Sequence, residues 1–202
     1  ALALSGGADL VLELPTPWAM ASAESFARGA VGLLAATGVV DVLSFGSETG
    51  ELAPLRAAAA ALDGPDYPER LQAGLARGLS FPAARQAAVG AYCLASPNDN
   101  LGVEYLRALP PGMEALTIPR RGAAHDGPAA GGFASASELR ALLRAGRAAE
   151  ADPYLPAPWS GETASMAHID RAVLARLRTM DEADWAALPD GGAAEGLPAW
   201  LA

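Results

Sequence analysis

Apolar residues are distributed along this chain in two patterns. Short apolar runs, ADLVLELP (residues 8–15), VVDVLSFGSETG (39–50, breaking at Gly46) and MEALTIP (113–119), have strand length and end in Pro or Gly. Longer segments repeat their apolar residues at three- and four-residue spacing. In ASAESFARGAVGLLAAT (21–37), Phe26, Ala30, Leu33 and Leu34 share one face, with Ser22 or Ser25 available as cap. Strand, helix and strand within the first 50 residues predict the βαβ unit of a parallel sheet.

Three Ala-rich segments, at 51–62, 67–78 and 82–93, predict packed helices. SPNDNLGVEYLRALP (96–110) predicts another. Pro97, Asn98 and Asp99 form its cap and first turn, Leu101, Tyr105, Ala108 and Leu109 its apolar face, and Pro110 and Pro111 its stop. A Gly/Ala loop at 122–134 leads into SASELRALLRAGR, where Ser135 and Glu138 have the spacing of a capping box. The reading is an α/β domain over 1–150, a Pro-rich linker over 151–163, and the start of an acidic helical domain over 164–202.

Composition narrows the function. Half the chain is hydrophobic (51%), enough for a real core, and the net charge is −9. That charge argues against a broad face gripping nucleic acid by electrostatics alone. It is uneven, however. Residues 101–150 carry 6 arginines against 5 acids, whereas residues 1–100 carry 5 against 10. A local anion site fits this pattern. The single cysteine, Cys93, excludes an internal disulfide and a multi-thiolate metal site, and its apolar surroundings suit a buried small hydrophobe. Two histidines, His125 and His168, do not by themselves make a zinc site; a loop hydrogen bond suits the first and a structural role the second. The N-terminal residues lack the basic segment of a signal peptide, and no window approaches the ~20 apolar residues of a membrane span. A soluble cytoplasmic protein is expected.

Three places could carry chemistry. Gly46 follows an apolar strand, where ligands approach open α/β sheets closely, although an ordinary turn explains it equally well. Asn98 can cap its own helix or face a base or ribose. Arg120 and Arg121 leave the carboxyl end of the 113–119 strand, and Arg140 lies one turn into the next helix. Guanidiniums there, with free N–H groups of the helix start, can clamp phosphate bidentately. The bland alternative is a solvated stripe of Arg140, Arg144 and Arg147 paired with Glu150.

Taken together, the runs GADLVLELPTPWAMASAESFARGAVGLL, FGSETG, SPNDNLGVEYLRAL, RRGAAHD with ASASELR, and EGLPAWL resemble the bacterial tRNA(Met) cytidine acetate ligases. These belong to the HIGH-motif nucleotidyltransferase-like superfamily. The resemblance implies a Rossmann-like fold, with a parallel sheet flanked by helices and a helical C-terminal segment. It implies an enzyme that uses ATP and Mg²⁺ to form acetyl-adenylate and acetylates the wobble cytidine of elongator methionine tRNA. Gly46, Asn98, Arg120 and Arg121 would contact ATP, and Ser135, Ser137 and Arg140 would touch the triphosphate. The family's HxGH-type motif is not among these 202 residues. The chain therefore reads either as part of such an enzyme, weak or inactive alone, or as a non-catalytic nucleotide- or RNA-binding remnant. Arg121 stands where the family commonly has an aliphatic residue.

Overall fold

A computed structural model describes residues 2–121, 132–163, 165, 167 and 169–186. The expectations for His125, His168, most of the 122–134 loop and the tail beyond 186 lie outside the described residues. The chain divides into two compact units, 1–159 and 160–202.

In the first unit, α1 (Leu2–Ser5), α2 (Thr16–Ala19) and α3 (Ala23–Ala36) precede β1 (Val42–Ser47). A crossover of α4 (Leu52–Leu62), α5 (Tyr67–Ala76), α6 (Phe81–Val89) and α7 (Pro97–Ala108) then leads to β2 (Glu114–Pro119). β1 and β2 pair in parallel, with Phe45 opposite Thr117 and Gly46 opposite Ile118. Parallel neighbours need such a crossover because the chain must return to the same end before it can pair again. β2 is followed by α8 (Ala136–Arg144) and α9 (Ala148–Ala151). In the second unit, α10 (Asp170–Thr179) and α11 (Glu182–Ala186) are joined by an Arg176–Asp184 ion pair of 3.0 Å.

Along β1 the pleat alternates: Leu43, Phe45 and Ser47 are buried, whereas Val42, Ser44 and Gly46 are exposed. Leu43 and Phe45 meet Val31 of α3, Leu55 and Leu62 of α4 and Val103 of α7 in one apolar cluster. Val42, Leu116 and Ile118 on the opposite face are exposed. The helices therefore cover one face of the sheet among the described residues. Phe45 stacks obliquely on Tyr105, with ring centroids 5.6 Å apart. Its ring also lies over Gly102, where a Cβ would come within 2.6 Å of Phe45 Cε2. Glycine in mid-helix costs about 1 kcal/mol against alanine, and here that loss admits the aromatic ring.

A second tie crosses the helices. The carboxylate of Glu104, buried on α7, receives the guanidinium of Arg85 from α6 and Arg107 Nη1 at 2.8 Å. Arg107 reaches on to Asp63, at 2.8 Å, just after α4. A carboxylate this deep is tolerated because cations occupy both of its oxygens.

One expected element is absent. Residues 8–15 form no strand; Leu10 and Val11 are 64% and 54% exposed. A strand exists only where another backbone completes its hydrogen bonds, and among the described residues the sheet holds β1 and β2 alone. The apolar side chains of this run instead line an open cavity of about 360 Å³ with Leu33, Leu34 and Val40. The 82–93 helix also ends early. Gly90 takes a left-handed φ of 69° and stops α6 at Val89. Among the described residues, no helix is long and apolar enough to cross a membrane.

Gly102→Ala is expected to destabilise the fold. Overpacking against Phe45, at about 1–3 kcal/mol, outweighs the helix propensity gained, and the shift in denaturant midpoint measures the difference. Glu104→Ala should cost more, about 3–5 kcal/mol, because Arg85 is left largely buried without its counter-ion. A midpoint unchanged within error would contradict that account.

Candidate functional site

Because β1 and β2 are parallel, both end at the same edge of the sheet. That geometry delivers Gly46 to Thr49 beside Pro119 to Arg121. The N–H of Arg120 donates to the Ser47 carbonyl at 2.9 Å, extending the ladder one residue past β2. The Arg120 stem then lies along Gly46, whose notional Cβ would sit 3.5 Å from Arg120 Cγ. The turn after β1 is locked from below. Buried Ser47 shares a 2.6 Å hydroxyl–hydroxyl bond with Thr117 and accepts the N–H of Gly50 at 2.9 Å. Gly50 has a φ of 67° and a notional Cβ 2.6 Å from Pro119 Cβ, so both backbone and space favour glycine there.

The same turn meets the start of α7. Ser96, the N-cap residue, makes no side-chain cap. The free N–H groups are instead received by Glu48: Oε2 accepts from Asp99 N at 2.8 Å, and Oε1 accepts from Asn98 N at 3.3 Å. A carboxylate is well placed at the positive end of a helix. Asp99 returns the link, its buried Oδ1 accepting the Thr49 N–H at 3.1 Å. Burial pushes the Glu48 carboxyl pKa upward. Hydrogen bonds from the Asn98 side chain and from the N–H groups of Asp99 and Asn98 outweigh this, so the net shift is downward.

Asn98 sits between the two loops. Its Nδ2 donates to Glu48 Oε1 at 2.6 Å, and its Oδ1 accepts a long bond from Arg120 Nη1 at 3.4 Å. Asn98 and Gly46 rim a cleft of about 360 Å³ whose apolar wall includes Leu34, Phe45, Leu101 and Tyr105. An apolar wall with a carboxamide at its rim, and Arg120 bonded to that carboxamide, suits a molecule with one flat apolar part and one anionic part.

Gly46, Asn98 and Arg120 therefore meet, although they come from three separate stretches of the sequence. The remaining candidates are differently placed. Arg121 is exposed and has no side-chain partner among the described residues. Ser135 Oγ is used within its own helix, accepting Glu138 N at 3.1 Å as the capping box requires. Arg140 reaches Ser137 at 3.4 Å on the same turn. The principal helix contact of α8 is with α9. No hydrogen bond or ion pair among the described residues joins Arg121, Ser135 or Arg140 to the Gly46–Asn98–Arg120 group. In the arginine stripe, Arg147 pairs with Glu150 at 2.6 Å, the structural role that competed with phosphate binding.

Two side chains central to this geometry, Glu48 and Asp99, were not singled out as site residues from the sequence. An acid directly after a strand, and another in a helix's first turn, were the visible signals. Their mutual engagement across fifty residues was not visible. Cys93 is buried, and burial, then the nearby Asp99 charge, raises its pKa, so it is poorly suited to act as a nucleophile. Among the described residues no cluster of three His, Cys, Asp or Glu side chains could hold a metal.

Known proteins resemble this chain over most of its length. The sequence pattern of the HIGH Nucleotidyl Transferase family matches residues 1–189. The tRNA(Met) cytidine acetate ligase of Syntrophotalea carbinolica is 43% identical over 172 residues, covering 78% of this chain and 40% of the relative. That of Acetivibrio thermocellus is 46% identical over 119 residues, covering 54% and 29% respectively. The crystal structure of Thermotoga maritima TmcAL bound with alpha-thio ATP superposes with a TM-score of 0.65 at 37% identity, covering 77% of this chain and 40% of that one. The chain thus spans about 40% of the length of the first of these ligases and of the solved structure. By the family-wide match and the parallel α/β core, the chain belongs to the HIGH nucleotidyl transferase family.

Proposed function

We propose that this chain is the ATP-binding part of a ligase that activates acetate and transfers the acetyl group to the wobble cytidine of elongator methionine tRNA. The observation that carries the reading is that Gly46 and Asn98 line the apolar-walled cleft while Arg120 lies against both of them, at the carboxyl ends of two parallel strands. Open α/β sheets bind ligands at that edge. The alpha-thio ATP bound by the Thermotoga maritima relative supports the choice of nucleotide.

In this reading the acetate carboxylate attacks the α-phosphorus of ATP and the bond to pyrophosphate breaks, giving acetyl-adenylate. The exocyclic amine of cytidine then attacks the acetyl carbon, AMP leaves, and the amine gives up one proton. Neither step needs a covalent enzyme nucleophile. This chain supplies position and charge: the apolar wall takes the flat base, Gly46 lets the ligand approach the backbone, and Arg120 offers N–H groups to phosphate oxygen. Arg121, Ser135, Ser137 and Arg140 are proposed to meet the triphosphate. The described residues offer no carboxylate cage of their own for Mg²⁺, so we assign it to the nucleotide phosphates, which hold it with few protein ligands. The acidic balance of the chain limits its own grip on tRNA.

Titration calorimetry with ATP and Mg²⁺ tests the reading. Arg120→Ala should weaken ATP binding by roughly 10- to 100-fold, the size of a lost charge-assisted hydrogen bond. Arg121→Ala should have a smaller effect. Absence of binding, or binding indifferent to Arg120→Ala, would refute the assignment. The 202 residues carry no HxGH sequence, so we expect this chain alone to bind ATP while acetate-dependent pyrophosphate release stays near background. Rapid release would instead show that the chemistry needs only the residues present.

A further inference from the structure

Resting on the nucleotide reading above, we infer that Glu48 is the positioning residue of the site: its carboxylate fixes which way the Asn98 carboxamide faces and so sets where Arg120 presents its charge. The argument is one of donors and acceptors. A carboxylate can only accept and a guanidinium can only donate. Asn98 lies between them, with 2.6 Å from Nδ2 to Glu48 Oε1 and 3.4 Å from Oδ1 to Arg120 Nη1. Only one orientation of the carboxamide satisfies both neighbours. Turned over, it would aim its N–H groups at a guanidinium and its oxygen at a carboxylate. Glu48 is in turn held by two backbone N–H groups of α7, while Asp99 holds the N–H of Thr49 next to it. The device is therefore anchored to main chain on both sides.

The arrangement also assigns the ligand's two ends. Glu48 already occupies the positive pole of α7, so a phosphate approaching there would meet a carboxylate. Phosphate is directed to Arg120. Asn98, with one N–H and one oxygen lone pair already used, keeps one of each for the cleft. That pair matches the adjacent acceptor and donor on the edge of an adenine.

The experiment uses this chain, isotope-labelled, with ATP and Mg²⁺ as the probe, and the isosteric substitution Glu48→Gln. The amide introduced by that substitution keeps one acceptor oxygen where the carboxylate has two, so the Asn98 side chain and the Asp99 N–H can no longer both be held. ATP affinity should fall about tenfold, one oriented hydrogen bond's worth. Asn98→Ala should cause a similar loss, and the double variant should bind no worse than Asn98→Ala alone. Losses that multiply in the double variant, or a Glu48→Gln protein binding ATP like the parent, would overturn the inference. A second measurement needs no nucleotide. The side-chain NH₂ resonances of Asn98 should stay constant at neutral pH. They should move only as acid protonates Glu48, below the ordinary carboxylate range, because the bond is present above Glu48's depressed pKa and lost below it. That movement should vanish in Glu48→Gln, which assigns it to Glu48. Asn98 signals that ignore acid in the parent protein would overturn the inference even if ATP binds. Failure of the parent chain to bind ATP at all would refute the nucleotide reading, and the inference with it.

Discussion

The carboxylate of Glu48, seated on the first N–H groups of a helix fifty residues further along, organises this edge of the molecule. A helix start leaves several N–H groups without partners, and a buried or half-buried start must find acceptors for them. Here the acceptor comes from the turn after β1, not from the helix's own cap. Satisfying α7 therefore fixes the β1 turn, and fixing that turn brings Asn98 to Arg120. The reciprocal bond from Thr49 to Asp99 closes the link from the other side. Removing either carboxylate takes away one side of that hold.

Beneath that edge, the packing keeps the turn from drifting. Ser47 and Thr117 share a buried hydroxyl bond across the strand pair, and Ser47 also receives Gly50. Phe45, one pleat earlier on the same side, presses into the space left by Gly102 on α7. One helix thus contacts the sheet at two levels, through an aromatic ring in the core and through a carboxylate at the rim. The Glu104 ion-pair group ties the far side of α7 to α6 and to the end of α4. Held on several sides, α7 can present Asn98 at the rim without a flexible loop. Such rigidity suits chemistry in which position and charge do the work.

Much of the fold was legible locally. The helices at 23–36, 52–62, 67–76 and 97–108 follow apolar spacing with breakers at their ends, and the Ser135 hydroxyl caps the Glu138 N–H at the start of its helix. The misread run was 8–15, whose apolar character promised a buried strand. Composition shows that a segment favours burial, but a ladder needs a partner backbone, and local sequence does not supply one. The second face of the sheet makes the same point: Val42, Leu116 and Ile118 have strand character yet remain exposed.

What the sequence by itself determined is the set of elements and the types of chemical group: glycine after a strand, an amide at a helix start, arginine after a second strand. These depend on neighbours three or four positions away, a range over which backbone geometry is fixed by residue type. Only the tertiary structure decided which of those groups meet. Gly46, Asn98 and Arg120 converge because two parallel strands end at one edge and a crossover helix begins there. Glu48 and Asp99 became partners because each answered an unsatisfied N–H on the other's segment. Hydrogen-bond demand is local, but what satisfies it here lies fifty residues away, and the path of the chain decides which acceptor arrives.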